Sequence, residues 1–380
     1  MTDTTLRLRS LRAVVLRAPI DTPVQTAFGT MHDRPMVLVH AVATDGSEGW
    51  GETWCNFPQP GAEHRARLVD RVLAPLACAR PFEDPAALFD ELSARTAVLA
   101  LQSGEPGPFA QAIAGVDIAV WDLVARRAGL PLWRVLGGRS GAVAVYASGL
   151  NPSAPEVLAA RCRDEGHRRF KLKVGFGAAR DRANLERLRE MLGADAALMV
   201  DANQAWTLAQ ALDQLPLLEP FALDWLEEPL RADRPWAEWQ ALCAAGAPPL
   251  AAGENLAGVA AFDAALATGV LEVLQPDLAK WGGPSGVRRL LPRIEAAGSR
   301  CCPHYLGGGI GLLASAHLLT LGRGDGLLEV DANPNPLRTR LAGPLAQVHE
   351  GRVDLGDAPG LGVVPDLGRL QPWVVAHAYG

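Results

Sequence analysis

From Val143 onward the chain alternates short apolar runs with amphipathic stretches. The runs fall near 143–148, 169–174, 197–201, 223–227, 249–254, 272–276, 299–304 and 326–330. Between them, at about 154–166, 178–193, 206–217, 232–246, 257–268, 284–297 and 310–321, apolar residues recur at helical spacing, as in helices with one buried face. Apolar runs separated by helices predict parallel strands buried on both faces, eight of them here. The eighth helix is expected to be short or displaced.

Before residue 139 the pattern is different. Alternating positions around Leu6–Arg17, Met36–Ala43 and Glu48–Glu52 predict an antiparallel meander, with Thr-Asp-Gly-Ser at 44–47 as a hairpin turn. Helical periodicity follows at about 62–77, 84–99 and 108–128, the last stopped by Gly129 and Pro131. Residues 1–139 thus read as an α+β unit and 140–344 as a (β/α)8-type barrel. The Gly- and Pro-rich tail from about 345 to 380 is expected to return to the first unit.

Chemistry recurs in step with the barrel pattern. Lys173, Asp201, Glu227, Glu254, Asp277, His304 and Glu329 are 28, 26, 27, 23, 27 and 25 residues apart, each at or just past the end of an apolar run. A strand, its return helix and two loops take about that length. Functional groups at the carboxyl ends of successive parallel strands mark the active face of such a barrel.

Composition narrows the reading. At 380 residues, 49% hydrophobic and 21% charged, the chain suits two globular domains. The net charge of −6 and the absence of any Lys/Arg cluster argue against a nucleic-acid or membrane surface. The six cysteines form no CxxC pair, and adjacent Cys301 and Cys302 read as small core residues. There is no apolar leader and no run of 18 apolar residues, so a reduced, cytoplasmic enzyme is expected.

Asp201, Glu227 and Glu254 end neighbouring strands, and three converging carboxylates without thiolate or imidazole make a hard oxygen site suited to Mg²⁺. Glu227 and Glu228 are adjacent, and strand side chains alternate, so one of the two should face the site; Glu227 is the choice. Lys171 and Lys173 share one face of the second strand. A lysine base near neutral pH needs its pKa lowered by ~3 units, which a second lysine and a metal ion supply. Asp277 and His304 also end neighbouring strands, and a carboxylate on one imidazole nitrogen leaves the other free to move protons. His317, on the following helix, reads as packed or surface.

These residues sit in motifs: GVDIAVWDLVARRAGLPLWRVLGG (115–138), KLK (171–173), VDAN (200–203), LEEP (226–229), GEN (253–255), PDLAKWGG (276–283), PHYLGGGIG (303–311) and LLEVDANPNP (327–336). In order and spacing the chain resembles the enolase superfamily, in its mandelate racemase-like subgroup. The resemblance implies a modified (β/α)8 TIM-type barrel under an N-terminal α+β capping domain. It also implies one Mg²⁺ (Mn²⁺ able to substitute) at Asp201, Glu227 and Glu254. Lys173 and the His304–Asp277 pair would be opposed proton-transfer groups, and Lys171 and Glu329 would contact the substrate carboxylate. Lys280 falls where the muconate-lactonizing branch places a second catalytic lysine; that branch lacks the Asp–His pair, so Lys280 reads as auxiliary.

The shared chemistry of the superfamily is removal of the α-proton of a carboxylate through an enediolate. A β-hydroxyl expelled by His304 gives an acid-sugar dehydratase, the reading put first. A proton returned on the opposite face gives a 2-hydroxy-acid racemase. The expected partner is a small carboxylate, and a homo-oligomer is expected. Specificity should come from the capping domain, through Phe28 and Met31 in 21–35 and Trp54, Asn56 and Phe57 in 51–58. A metal-dependent hydrolase on this barrel would need a HxH pair after the first strand, and GAVAVYASG has none.

Overall fold

The computed structural model describes residues 5–26 and 29–377. Its first sheet is antiparallel, in the order β13–β1–β2–β3, with β1 Leu8–Thr26, β2 Gly29–Ala43, β3 Glu48–Thr53 and β13 Val374–His377. The alternation in β1 and β2 divides their side chains between two cores. Ala13, Val15, Val37, Val39 and Ala41 pack on the helices of their own domain. Val14, Leu16, Ala18, Met36 and Leu38 belong to the barrel's core. A strand buried on both faces in this way welds the cap to the barrel. Both strands run further than their alternation predicts, because the β1–β2 ladder continues to Thr26↔Gly29 beyond the packed region.

Three helical stretches cover the outer face: Gly61–Ala77, interrupted by a π-helical stretch at Val69–Leu73, then Pro85–Ser103 and Pro106–Arg127. The last presses its backbone onto β3, so closely that a Cβ on Gly51 would meet the Gly115 carbonyl at 2.0 Å. Among the described residues this is the one helix long and apolar enough to cross a membrane, and it is buried within the protein.

The second sheet is parallel and curled. Its strands are β4 Ala142–Leu150, β5 Arg169–Lys173, β6 Ala197–Asp201, β7 Leu226–Glu227, β8 Leu250–Ala252, β9 Leu271–Leu274, β10 Arg300–Cys301 and β11 Leu328–Asp331. The ladder runs β10–β9–β8–β7–β6–β5–β4–β11, and β12 (Arg352–Asp354) lies antiparallel on β4. This is the TIM-type barrel with its capping domain, the ladder open between β10 and β11 among the described residues. Inside it, Tyr146 meets Trp225 edge-on at 5.2 Å, packed with Met199, Val273, Cys302 and Leu327. The eighth helix is indeed short, Pro336–Arg340.

Register aligns the chemistry. Lys173 lies opposite Asp201, Asp201 opposite Glu227, and Glu227 opposite Ala251, three residues before Glu254. Strands β7 and β10 keep only two ladder residues each, fewer than their apolar runs predict. Beyond β10, His304 and Leu306 line the site's cavity.

Candidate active site

A cavity of about 250 Å³ opens at the carboxyl ends of the barrel strands, under the capping domain. Lys173, Asp201, Glu254, Lys280, His304 and Glu329 line it from the barrel, and Trp54, Asn56 and Phe57 from the cap.

The two lysines of β5 occupy opposite electrostatic settings. Lys171 is almost fully buried; its Nζ lies 2.5 and 2.6 Å from the Glu227 oxygens and 2.9 Å from Glu329. Burial alone would lower it, but those two carboxylates hold it well above the usual lysine range. Lys173, one pleat nearer the cavity, is lowered: burial, with the charges of Lys171 and Arg34, outweighs Asp201 and Asp331. One strand therefore carries a fixed cation and a lysine shifted toward the neutral form.

The acids show the complementary strain. Asp201 accepts the Asn203 N–H and side-chain amide, both at 2.7 Å. Burial raises it, and the Glu254 charge adds to the rise against Lys171. Glu227 also accepts from Gln275 at 2.5 Å and the Trp225 indole at 3.1 Å. Even so, burial pushes it up to about 7, with Asp201 and Glu329 contributing. Two carboxylates thus remain short of positive charge, a condition a divalent cation relieves, and the all-oxygen donor set suits Mg²⁺. Among the described residues no three acid, histidine or cysteine side chains already converge on one ion-sized point. Glu227 turns to Lys171, and Glu254 to Lys280 at 3.1 Å and His304 at 2.6 Å.

Strand alternation does not hold at the Glu pair. Glu228 has a positive φ of 39°, so the chain leaves the extended conformation there and both side chains are buried. Glu228 accepts from Asn255 at 2.8 Å, and burial, then Glu254, raises it well above the carboxylate range.

Across the cavity, His304 Nδ1 lies 2.7 Å from Asp277 Oδ2, while the other Asp277 oxygen accepts the Ala279 and Lys280 N–H groups at 2.8 and 3.0 Å. Burial would lower the imidazole; Glu254, Glu329 and Asp277 together raise it well above its ordinary value. Lys280 Nζ also stands 4.8 Å over the Trp54 ring. His317 is buried and accepts the Trp133 N–H at 3.0 Å.

Not every candidate from the sequence meets at this cavity. Lys171 and Glu227 form its buried foundation. Met31 lines a neighbouring cleft of about 370 Å³ that shares Asn56 and Phe57 with the first. Phe28 lies outside the described residues. Ser148, Asn203, Gln204 and Asn255 line the cavity without having been singled out. Ser148 closes the first apolar run, AVAVYAS, 25 residues before Lys173, so the spacing rule extended one run back would have found it.

Residues 10–137 match the mandelate racemase/muconate lactonizing enzyme N-terminal domain family, and residues 156–369 the enolase C-terminal domain-like family. The chain belongs to the enolase superfamily, in the mandelate racemase/muconate lactonizing enzyme family. It is similar to a mandelate racemase/muconate lactonizing enzyme from Bordetella bronchiseptica RB50, with 59% identity and a TM-score of 0.92 over 97% of this chain and 99% of that one. D-galactarolactone cycloisomerase of Agrobacterium fabrum is 30% identical over 380 residues, 94% of this chain and 96% of its own. An enolase from Bradyrhizobium complexed with magnesium and mandelic acid is 27% identical, with a TM-score of 0.85 over 99% of this chain and all of that one. The chain's enzyme relatives include dehydratases, cycloisomerases and racemases.

Proposed function

We propose that this protein removes the α-proton of a hydroxylated carboxylate, with Lys173 and His304 as opposed proton-transfer groups, and that the net reaction is dehydration of an acid sugar. The observation that carries the reading is the 2.7 Å His304–Asp277 contact on a cavity that Lys173 also lines. Mg²⁺ at Asp201, Glu227 and Glu254 would supply stabilisation of the negative charge that develops on the substrate carboxylate.

The chain's own residues do the rest. Lys173 takes the α-proton and the C–H electron pair moves into the carboxylate as an enediolate. It returns to form the Cα–Cβ double bond as the β-hydroxyl leaves, and the resulting enol tautomerises to the keto acid. His304, oriented by Asp277, gives its proton to the β-hydroxyl, which leaves as water with the C–O electrons. Lys171 offers fixed positive charge to the substrate carboxylate, and Glu329 holds Lys171 and Ser148 beside it. Ser148, Asn203, Gln204, Asn255 and Lys280 offer hydrogen-bonding groups in a lining that also carries apolar Trp54, Phe57 and Leu306, which suits a small carboxylate with a few hydroxyls. If the substrate lacks a β-hydroxyl, the same two groups can remove a proton on one face and return it on the other, which is a racemase. Likeness to the mandelic acid complex supports keeping that second reading.

The test is a screen of mono- and diacid sugars with Mg²⁺, scoring keto-acid formation and, separately, α-proton exchange in D₂O. Exhaustive EDTA treatment should abolish turnover, Mg²⁺ or Mn²⁺ should restore it, and Glu254→Gln should abolish it with weaker Mg²⁺ binding. Full activity after exhaustive chelation contradicts the proposal.

A further inference from the structure

The segment after His304 has no regular structure until the helix Gly309–Leu319 begins. Its residues are held one by one from elsewhere. The Tyr305 N–H donates to Glu329 at 3.0 Å, and the Leu306 carbonyl accepts from Asn56. The Gly307 carbonyl accepts from Asn335 at 2.7 Å, and the Gly308 N–H donates to Glu52 at 2.5 Å. The second Glu52 oxygen accepts the Gly311 N–H at 2.9 Å, in the helix's first turn.

Glu52 is on β3 of the capping domain, 2% exposed. It reaches the barrel because the facing chain has no side chains in the way. A Cβ on Gly308 would meet Glu52 Oε1 at 2.9 Å and Met36 Sδ at 2.7 Å, and one on Gly311 would meet the Tyr305 hydroxyl at 2.2 Å. Gly307 and Gly308 of PHYLGGGIG thus carry the imprint of the capping domain, while Gly309 and Gly311 make room for Leu341 and Tyr305 of the barrel. A carboxylate on two N–H groups at a helix start is also favoured by the helix dipole.

We infer that Glu52 is a positioning residue for His304: it fixes the backbone at Gly308 and Gly311, the far end of the loop that carries His304, so the imidazole meets Asp277 correctly only when the cap is seated. The inference rests on the reading of His304 as a proton-transfer group. Lys173, on a laddered strand, does not depend on Glu52.

The first readout needs no substrate. In the Mg²⁺-loaded protein, the low-field NMR proton between His304 and Asp277, assigned by its loss in His304→Asn, should disappear in Glu52→Ala. It should be partly retained in Glu52→Gln, which keeps one acceptor oxygen. The second is α-proton exchange in D₂O. The His304-dependent rate should fall about 10²-fold in Glu52→Ala, as for a displaced catalytic group, while the Lys173-dependent rate stays within about threefold. Should Glu52→Ala not fold, Glu52→Gln carries the test, with an intermediate loss confined to the His304 face. An unchanged low-field proton and an unchanged His304-face rate in a folded variant overturn the inference. A low-field proton that responds to Glu52 in a protein showing no exchange from either face leaves the positioning intact and removes the proposed reaction instead.

Discussion

Lys173 and His304 face one cavity but are built by different means. Lys173 ends a five-residue strand laddered on both sides, with Phe170 and Leu172 buried in the barrel core. His304 stands beyond a two-residue strand, and the backbone that follows it is held by side chains, two of them from the capping domain. The barrel thus supplies one group from its regular part, while the other sits on a loop the second domain must brace. Main-chain ladders tolerate substitution at any one side chain; a loop held residue by residue does not. The His304 side should be the more fragile.

The strongest way to break this contrast is Asp277→Asn. Loss of the carboxylate that orients an imidazole costs on the order of 10⁴ in rate by analogy with the serine-protease triad, and steady-state turnover should fall that far in a folded protein. A fall below tenfold would mean the surrounding hydrogen bonds alone orient the ring. Next comes Arg34→Leu, at the cap–barrel seam near Lys173. Arg34 is fully buried and donates to Asp331 at 2.5 Å, while Arg338 lies 3.4 Å from the same oxygen. Removing one partner of a buried pair costs about 3–5 kcal/mol, to be read by urea unfolding. A neutral result would show that the seam is held elsewhere.

Acid lability should follow from the helix that starts at the Glu52 contact. Burial lowers His317 to about 4 from an ordinary 6.5, and His167 likewise to about 4. Between those values the unfolded chain takes up protons that the native state refuses. Stability is therefore full above pH 6.5 and is lost as pH falls toward 4, by on the order of 3 kcal/mol for His317. Unfolding free energy that is flat across this range would contradict the burial argument. The smallest effect is expected for Lys280→Ala. Its ammonium pairs with Glu254 and covers Trp54, so turnover should stay within about tenfold, ~1.4 kcal/mol. A dead Lys280→Ala beside an active Asp277→Asn would reverse the assignment of the second proton-transfer group.

Much of this was legible in the sequence, for a physical reason. Parallel strands buried on both faces leave continuous apolar runs, and the site residues close them, so Asp201, Glu227 and Asp277 could be placed by spacing alone. What escaped depends on contacts across long chain separations. The brace from Glu52 to Gly308 spans 256 residues and leaves only Gly307 and Gly308 as its trace. The positive φ at Glu228 has no local signature, since a glutamate in a strand pattern reads as extended. The burial of Lys171 between Glu227 and Glu329 reflects three strands meeting, and no single run records it.

The central claim is that two groups work on opposite faces of one substrate, and stereospecific α-proton exchange in D₂O measures it most directly. Each stereoisomer of an accepted 2-hydroxy acid would be incubated with wild-type protein, Lys173→Ala and His304→Asn, and deuterium at the α-carbon followed by NMR. The account predicts mirror patterns: His304→Asn keeps exchange of one isomer, Lys173→Ala keeps exchange of the other, and each loses its complement. Undiminished exchange of both isomers in both variants would contradict it.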